Sequence, residues 1–311
     1  MFSYNIIGTG AVGGYYGGRL SQSGRDVRFL ARSDADEIRK HGLIVDSVKG
    51  DFILPEVPVF TSAAGMPAAD VVVVSTKSTG NGRLPEILEP LVSPGTIVLM
   101  LQNGLGMEEE LAVRFPEAIV VGGMCFICAQ KRKPARISHL DYGEITFAAF
   151  DPRGEAVLEA LKIDFEESLV PITLAASLGA ARWRKLLWNI PYNGMSVILG
   201  ADTKTMMDDP SSRAIIRRLM EEVAQGAASC GFRFDEGAVD KMLAYTDGMK
   251  PYEPSMKLDF DYGRPMEIEY MYRNPIAEAK KSGCELPAVS MLADLLEFRQ
   301  RRANADRNAP A

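Results

Sequence analysis

The 311-residue chain is 47% hydrophobic and 24% charged, the balance of a globular protein rather than a disordered or fibrous one, and its length favours two domains. A formal net charge of −6 argues against the broad basic surface that a nucleic-acid partner needs. Four scattered cysteines fit a reducing compartment, and no apolar run approaches the roughly 20 residues that span a bilayer, so a cytoplasmic protein is expected.

Tyr4–Ile7 reads as a short buried strand, followed by a glycine-rich turn and a helix to about Gly24. Val27–Ala31 is a second strand, then a charged helix starts at Asp34 and a β-rich excursion runs through Val59. DVVVV, Asp70–Val74, is a β-branched run suited to a buried parallel strand. A helix from about Leu84, a strand at Thr96–Leu101, and strands near 119–127, 136–140 and 144–149 complete the series. This alternation predicts a doubly wound, Rossmann-type α/β domain over residues 1–174. Cys125 and Cys128 form a C-x-x-C within a strand, where residues three apart face opposite sides; they read as buried thiols, and no metal is expected. Beyond residue 174 the β signal fades. Residues 175–311 read as an all-helical domain punctuated by glycine and proline, with the polar end RRANADRNAPA frayed.

The turn after the first strand is GTGAVGGYYGG. Gly8, Gly10 and Gly13 fit G-x-G-x-x-G, and the strand-turn-helix setting is the one the dinucleotide fingerprint requires. Gly8 permits the tight turn, Gly10 lets a pyrophosphate approach, and Gly13 with Gly17 bares a helix face for packing on the sheet. Gly8, Thr9, Gly10, Ala11, Val12 and Gly13 are thus the expected phosphate-side residues, with the helix amides facing the anion. The second strand ends in LARS, where Arg32 suits the 2′-phosphate of NADP; Asp34, two residues on, reads as a helix N-cap. NADPH/NADP is therefore the expected cofactor. The next strand ends run into Ser75-Thr76-Lys77 and Gln102-Asn103-Gly104, placing Lys77 and Asn103 toward the same crevice.

Hydride transfer to a carbonyl generates an alkoxide, which needs a proton donor or strong cation beside it. The chain has two histidines, His41 and His139, and neither falls at a strand end facing the crevice. WRKLLWNIPYN instead places Lys185, Asn189 and Asn193 at four-residue spacing on one helix face, with Trp183, Leu186, Leu187 and Ile190 on the others. A lysine of ordinary pKa, about 10.4, can protonate an alkoxide without tuning. On spacing alone, a solvated face is an equal reading, and Pro191 threatens to kink the line. Farther on, SMKLDFDYGRPMEIEYM offers Ser255, Asp259 and Glu267.

Taken together these segments resemble the ketopantoate reductase family over nearly the whole chain. GTGAVGGYYG, LARS, STK and LQNG are similar to its cofactor-side motifs, while WRKLLWNIPYN and SMKLDFDYGRPMEIEY resemble its two more specific helical-domain motifs. The resemblance implies NADPH-dependent reduction of ketopantoate to pantoate, in pantothenate and coenzyme A synthesis. It implies Lys185 as general acid and Glu267 as the second catalytic residue, also against the cofactor. Asn189, Asn193, Ser255 and Asn103 would bind substrate, and Lys77, Asn103 and Ala129 would line the cofactor. It further implies a Rossmann domain joined to an all-helical domain, with the substrate between them. The chain departs from the family pattern at Pro191, at Arg273 and Pro275 after the E-I-x-Y element, and at Glu285-Leu286-Pro287, where a threonine is missing.

Those departures leave a related reductase of another branched 2-oxo acid as an alternative. A 3-hydroxy acid dehydrogenase is a second, although the glycine-rich signature it wants before its lysine is absent. A non-catalytic NADP-binding regulator is a third. The expected partner is a small-molecule 2-oxo acid, with no nucleic acid or membrane and with a homodimer left open.

Overall fold

The computed structural model describes residues Met1–Asn308. The chain forms two compact units: Met1–Gln102 with Met107–Leu178, and Asn103–Gly106 with the residues from Gly179 onward.

The first unit is built on a ten-stranded mixed sheet. Its strands are β1 (Tyr4–Ile7), β2 (Val27–Leu30), β3 (Leu43–Ser47), β4 (Phe52–Leu54), β5 (Val59–Phe60), β6 (Val71–Val74), β7 (Ile97–Met100), β8 (Ile119–Lys133), β9 (Arg136–Ala149) and β10 (Ile172–Leu174). They lie in the order β4-β3-β9-β8-β7-β6-β1-β2-β5, with β10 added beside β9. From β8 to β5 every pairing is parallel. β1 and β6 are buried along their whole length; β6 is accordingly a continuous β-branched run, and the one polar residue of β1, Asn5, donates through Nδ2 to Pro67 O at 2.9 Å. The connecting helices are α1 (Ala11–Gln22), α2 (Ala35–His41), α3 (Leu84–Leu88), α4 (Met107–Arg114) and α5 (Pro152–Glu167). The doubly wound α/β unit expected from the alternation is present.

Two local expectations change. The two strands expected at 136–140 and 144–149 are one strand, β9, pairing antiparallel with β8 along its length. Register shifts absorb extra residues around Leu140 and Gly143, so the polar interruption is a bulge and not a turn. Asp34 does sit at the N-cap position of α2, but its carboxylate makes no capping bond; Lys131 Nζ holds it instead, at 2.9 and 3.0 Å. His139 is buried, its Nδ1 2.8 Å from Ser47 Oγ and its Nε2 within 3.1 Å of two backbone carbonyls. Those carbonyls require a proton on Nε2, and burial pushes the pKa down, so it is a neutral core residue.

The second unit contains no strand among the described residues. Its helices are α6 (Leu178–Leu199), α7 (Thr203–Asp208), α8 (Pro210–Ser229), α9 (Ala238–Asp247), α10 (Ser255–Asp261), α11 (Asn274–Lys281) and α12 (Pro287–Asn308). A π-helical turn, Glu269–Arg273, precedes α11. The core is formed by Trp183, Leu186, Leu187 and Ile190 of α6, Ile216, Leu219, Met220 and Val223 of α8, and Val289, Leu292 and Leu296 of α12. Each recurs at three- or four-residue steps, and burying each such side chain is worth about 1.5–3 kcal/mol. The polar end expected to fray is helical through Asn308, supported by four-residue pairs such as Arg301 with Glu297. Residues 309–311 of that stretch lie outside the described residues.

Candidate active site

In the first unit the glycine turn is clamped between two strand ends. Gly8 N and Thr9 Oγ1 both donate to Leu30 O, at 3.3 and 3.2 Å, and Ser75 Oγ donates to Gly8 O at 2.8 Å. Gly8 has φ +101°, a left-handed value that favours glycine. A Cβ on Gly13 would lie 2.1 Å from Gly8 O and 2.2 Å from Ser75 Oγ, so no larger residue fits. At Gly10 the situation is opposite, since a Cβ there would meet no protein atom within 4 Å. The bare backbone at Gly10 therefore answers to no neighbour within the fold. It opens α1, whose first turn has no acidic residue and no side-chain cap, so its leading amides keep their partial positive charge. A cradle with one face bare and a positive helix end fits a dinucleotide pyrophosphate.

Arg32 is exposed in the bend after β2. Lys77 is exposed at the end of β6, in the residue that caps a 3₁₀ turn over Ser78–Arg83. Gln102, at the end of β7, donates through Nε2 to Thr76 O at 2.9 Å and to Asn81 Oδ1 at 2.7 Å, tying these two strand ends together. Ala129 is half-buried in β8, opposite His139 of β9.

In the second unit Lys185, Asn189 and Asn193 lie on α6, and Pro191 does not end the helix. Lys185 is half-buried and the two asparagines are buried. Asn193 Nδ2 donates to Asn189 O at 3.0 Å, and Asn193 Oδ1 accepts from Met256 N at 3.1 Å and from Ser255 Oγ at 3.5 Å. The residue before α10 is Pro254, whose side chain cannot cap, so Asn193 supplies the cap from another helix. Asn189 Nδ2 points to Asn103 Oδ1, 3.4 Å away. Glu267 is buried ahead of the π turn, and Asp259 is held by Arg264 Nε at 2.9 Å.

The segment Asn103–Gly106 packs within this unit for a definite reason. In the π turn the Asn274 amide pairs with Glu269 O, so the next carbonyl, Tyr270 O, would look to Pro275, which has no amide to give. Tyr270 O accepts from Leu105 N at 2.9 Å, and Asn274 Nδ2 donates to Leu105 O at 2.8 Å. A Cβ on Gly104 would lie 2.6 Å from Tyr270 O, so only glycine allows this approach. Arg273 turns outward to Glu297 and Asp294, each within 2.7 Å. Pro287 opens α12, whose amides at Ala288 and Val289 donate to the buried Glu222 carboxylate at 2.8–3.1 Å.

Tyr272 braces α6 beside Pro191. Its fully buried hydroxyl donates to Ile190 O at 2.9 Å and lies against the Gly194 amide, just past the proline. Burial raises the phenol pKa, so it remains a donor. Tyr272→Phe should lower unfolding stability by about 1–3 kcal/mol, because a buried carbonyl loses its partner. An unchanged melting temperature would overturn that role. Sequence reading missed Tyr270, Tyr272 and Asn274; the only signal available was the departure from pattern at 272–275.

Among the described residues, no group of three or more His, Cys, Asp and Glu side chains is placed to hold a metal ion, and no helix is long and apolar enough to cross a membrane.

Two family models match the chain: "Ketopantoate reductase PanE/ApbA" over residues 4–152 and its C-terminal counterpart over residues 177–300. A 2-dehydropantoate 2-reductase of a Nostoc species is 44% identical over 300 residues, spanning 95% of this chain and 94% of its own. The crystal structure of a 2-dehydropantoate 2-reductase from Geobacter metallireducens superposes with a TM-score of 0.92 at 40% identity, covering 95% of this chain and 99% of the other. A dimeric ketopantoate reductase from Staphylococcus aureus shares the fold at a TM-score of 0.81 and 22% identity, over 97% and 99% of the two chains.

Proposed function

The chain belongs to the ketopantoate reductase (PanE/ApbA) family, and on that premise we propose that it reduces 2-dehydropantoate to pantoate with NADPH. The observation that carries this reading is the α6 face, which sets the Lys185 ammonium one turn from a buried asparagine fixed to the Asn103 loop. The first unit takes the dinucleotide and the helical unit takes the 2-oxo acid.

Gly8 to Gly13 receive the pyrophosphate on the helix amides, and Arg32 receives the 2′-phosphate. Lys77 and Ala129, of the same unit, line the nicotinamide side. When bound, NADPH supplies the hydride. As the ketone carbon gains it, negative charge gathers on the oxygen, where Lys185 neutralises the charge and delivers the proton. Asn189, Ser255 and Asn103 orient the substrate, and Glu267 completes the helical unit's side of the site. Asn193, with both ends of its amide engaged, holds Ser255 and Asn189 in position. A cytoplasmic enzyme is the expected form, and a dimer, the state named for the Staphylococcus aureus protein, is the expected assembly.

The test is oxidation of NADPH and of NADH against a panel of 2-oxo acids. Turnover of 2-dehydropantoate with a strong NADPH preference is expected. Absence of turnover with every acid would leave a dinucleotide-binding protein and remove the reductase reading. Preference for another branched acid would keep the chemistry and change the substrate.

A further inference from the structure

The segment after β2 carries two contradictory signals. Arg32 suits a 2′-phosphate, whereas Asp34, an acidic residue just past the same strand, is the type that in NAD sites accepts from the ribose 2′-hydroxyl and repels a phosphate. The structure resolves the contradiction with a residue nearly a hundred positions away. Lys131 Nζ lies 3.0 Å from Asp34 Oδ1 and 2.9 Å from Oδ2. Ser33 Oγ donates to Oδ1 at 2.8 Å, and Ala135 N reaches Oδ2 at 3.3 Å. Both carboxylate oxygens are occupied, and the Asp34 side chain is only 5% exposed, against 30% for Lys131.

The supporting framework is specific. Ala31 and Ala35, on either side of the Arg32–Asp34 bend, share a small apolar cluster with Ala135. Ala135 sits in the turn between β8 and β9 with φ +57°, a strained value for alanine, and its amide is the one that Asp34 accepts. The β8–β9 turn is thereby pinned onto the loop that carries Arg32. An ammonium has three donors, and two are directed at Asp34. Lys131 is the more exposed partner, and Arg32 is exposed two residues from Asp34, about 6–7 Å along the backbone.

We propose that Lys131 and Asp34 form a charge lock that sets cofactor specificity. Lys131 withdraws the Asp34 carboxylate from the ribose and presents its remaining N–H, beside Arg32, to the 2′-phosphate. The proposal rests on the NADPH reading above. A phosphate monoester carries close to two negative charges at neutral pH, so an uncovered carboxylate next to it would oppose binding directly. The lock removes that opposition and leaves the locality with one net positive charge from Arg32, Lys131 and Asp34.

The test is calorimetric titration of the full-length protein with adenosine 2′,5′-bisphosphate and with adenosine 5′-monophosphate, which differ only in the 2′-phosphate. Lys131→Met should weaken the bisphosphate at least about tenfold and the monophosphate by less than about twofold. Adding Asp34→Asn should restore much of that loss, and Lys131→Arg should retain most of the bisphosphate affinity. Equal weakening of both nucleotides would make the pair a structural clip and overturn the lock, as would an unchanged bisphosphate affinity. Should Lys131→Met not fold, Asp34→Asn alone decides: bisphosphate binding as tight as in the unaltered protein, or tighter, supports the lock. A loss comparable to that of Arg32→Ala refutes it. If the unaltered protein binds the two nucleotides equally, the NADPH reading itself fails and the lock fails with it. A bisphosphate preference that survives Lys131→Met overturns only the lock.

Discussion

Replacing Lys185 by alanine is expected to lower kcat by about two to four orders of magnitude, the usual range for a lost general acid, while leaving NADPH affinity within about twofold. The asymmetry follows from where the groups reside. The glycine turn, its Ser75 brace and Arg32 all belong to the first unit, whereas Lys185 lies on α6 among residues of the second. Alanine is a good helix former, and Trp183, Leu186, Leu187 and Ile190 continue to anchor the helix, so α6 should persist. Lys185→Arg is the informative companion. It keeps the positive charge but gives up its proton far less readily, so it should recover charge stabilisation and little proton transfer. Stopped-flow oxidation of bound NADPH with 2-dehydropantoate would measure both variants. Near-normal turnover of Lys185→Ala would remove it as the acid, and a comparable loss of NADPH binding would mean that its role is structural.

The largest effect on stability is expected at Arg25. Its Nε is 3.0 Å from Asp164 Oδ1, with the two side chains 4% and 5% exposed. The other Asp164 oxygen accepts from Tyr4 OH at 2.8 Å and Phe2 N at 2.9 Å, so this carboxylate joins α5 to the start of the strand that leads into the glycine turn. Burial, and then the hydrogen bond to Asp164, raise the Tyr4 pKa, so the phenol remains a donor. Removing one partner of a buried pair leaves an uncompensated charge, and Arg25→Ala should cost about 3–5 kcal/mol. Glu167, also paired with Arg25, is largely exposed and contributes little. Adding Asp164→Asn removes the orphaned charge and should recover part of the loss, giving a positive coupling in a double-mutant cycle. Urea unfolding followed by circular dichroism would show it. A loss under about 1 kcal/mol for Arg25→Ala would mean that water reaches the carboxylate and that the pair matters little.

Much of this protein was legible in its sequence, and the reason is that the legible features are local. β-Branched runs such as Val71–Val74 and the strand-turn-helix around Gly8 to Gly13 are set by residues within a few positions of each other. The same holds for the four-residue spacing of Lys185, Asn189 and Asn193. Backbone sterics and side-chain periodicity act over that range, so a doubly wound sheet followed by a helical unit could be predicted from pattern. What the sequence left open was decided by contacts between distant residues. Ile190 O, beside the proline expected to kink α6, is met by the hydroxyl of Tyr272, 82 positions on. Asp34 sits at the N-cap as its sequence suggested, but the partner of its carboxylate, Lys131, lies 97 positions on and is invisible to any local rule. Asn103 follows a strand of the first unit yet packs in the second, where it meets Asn189 86 positions on and where the carbonyl of Tyr270 receives the neighbouring amide. Each of these contacts satisfies a buried or half-buried polar group, and folding does so with whichever residue the tertiary structure brings near.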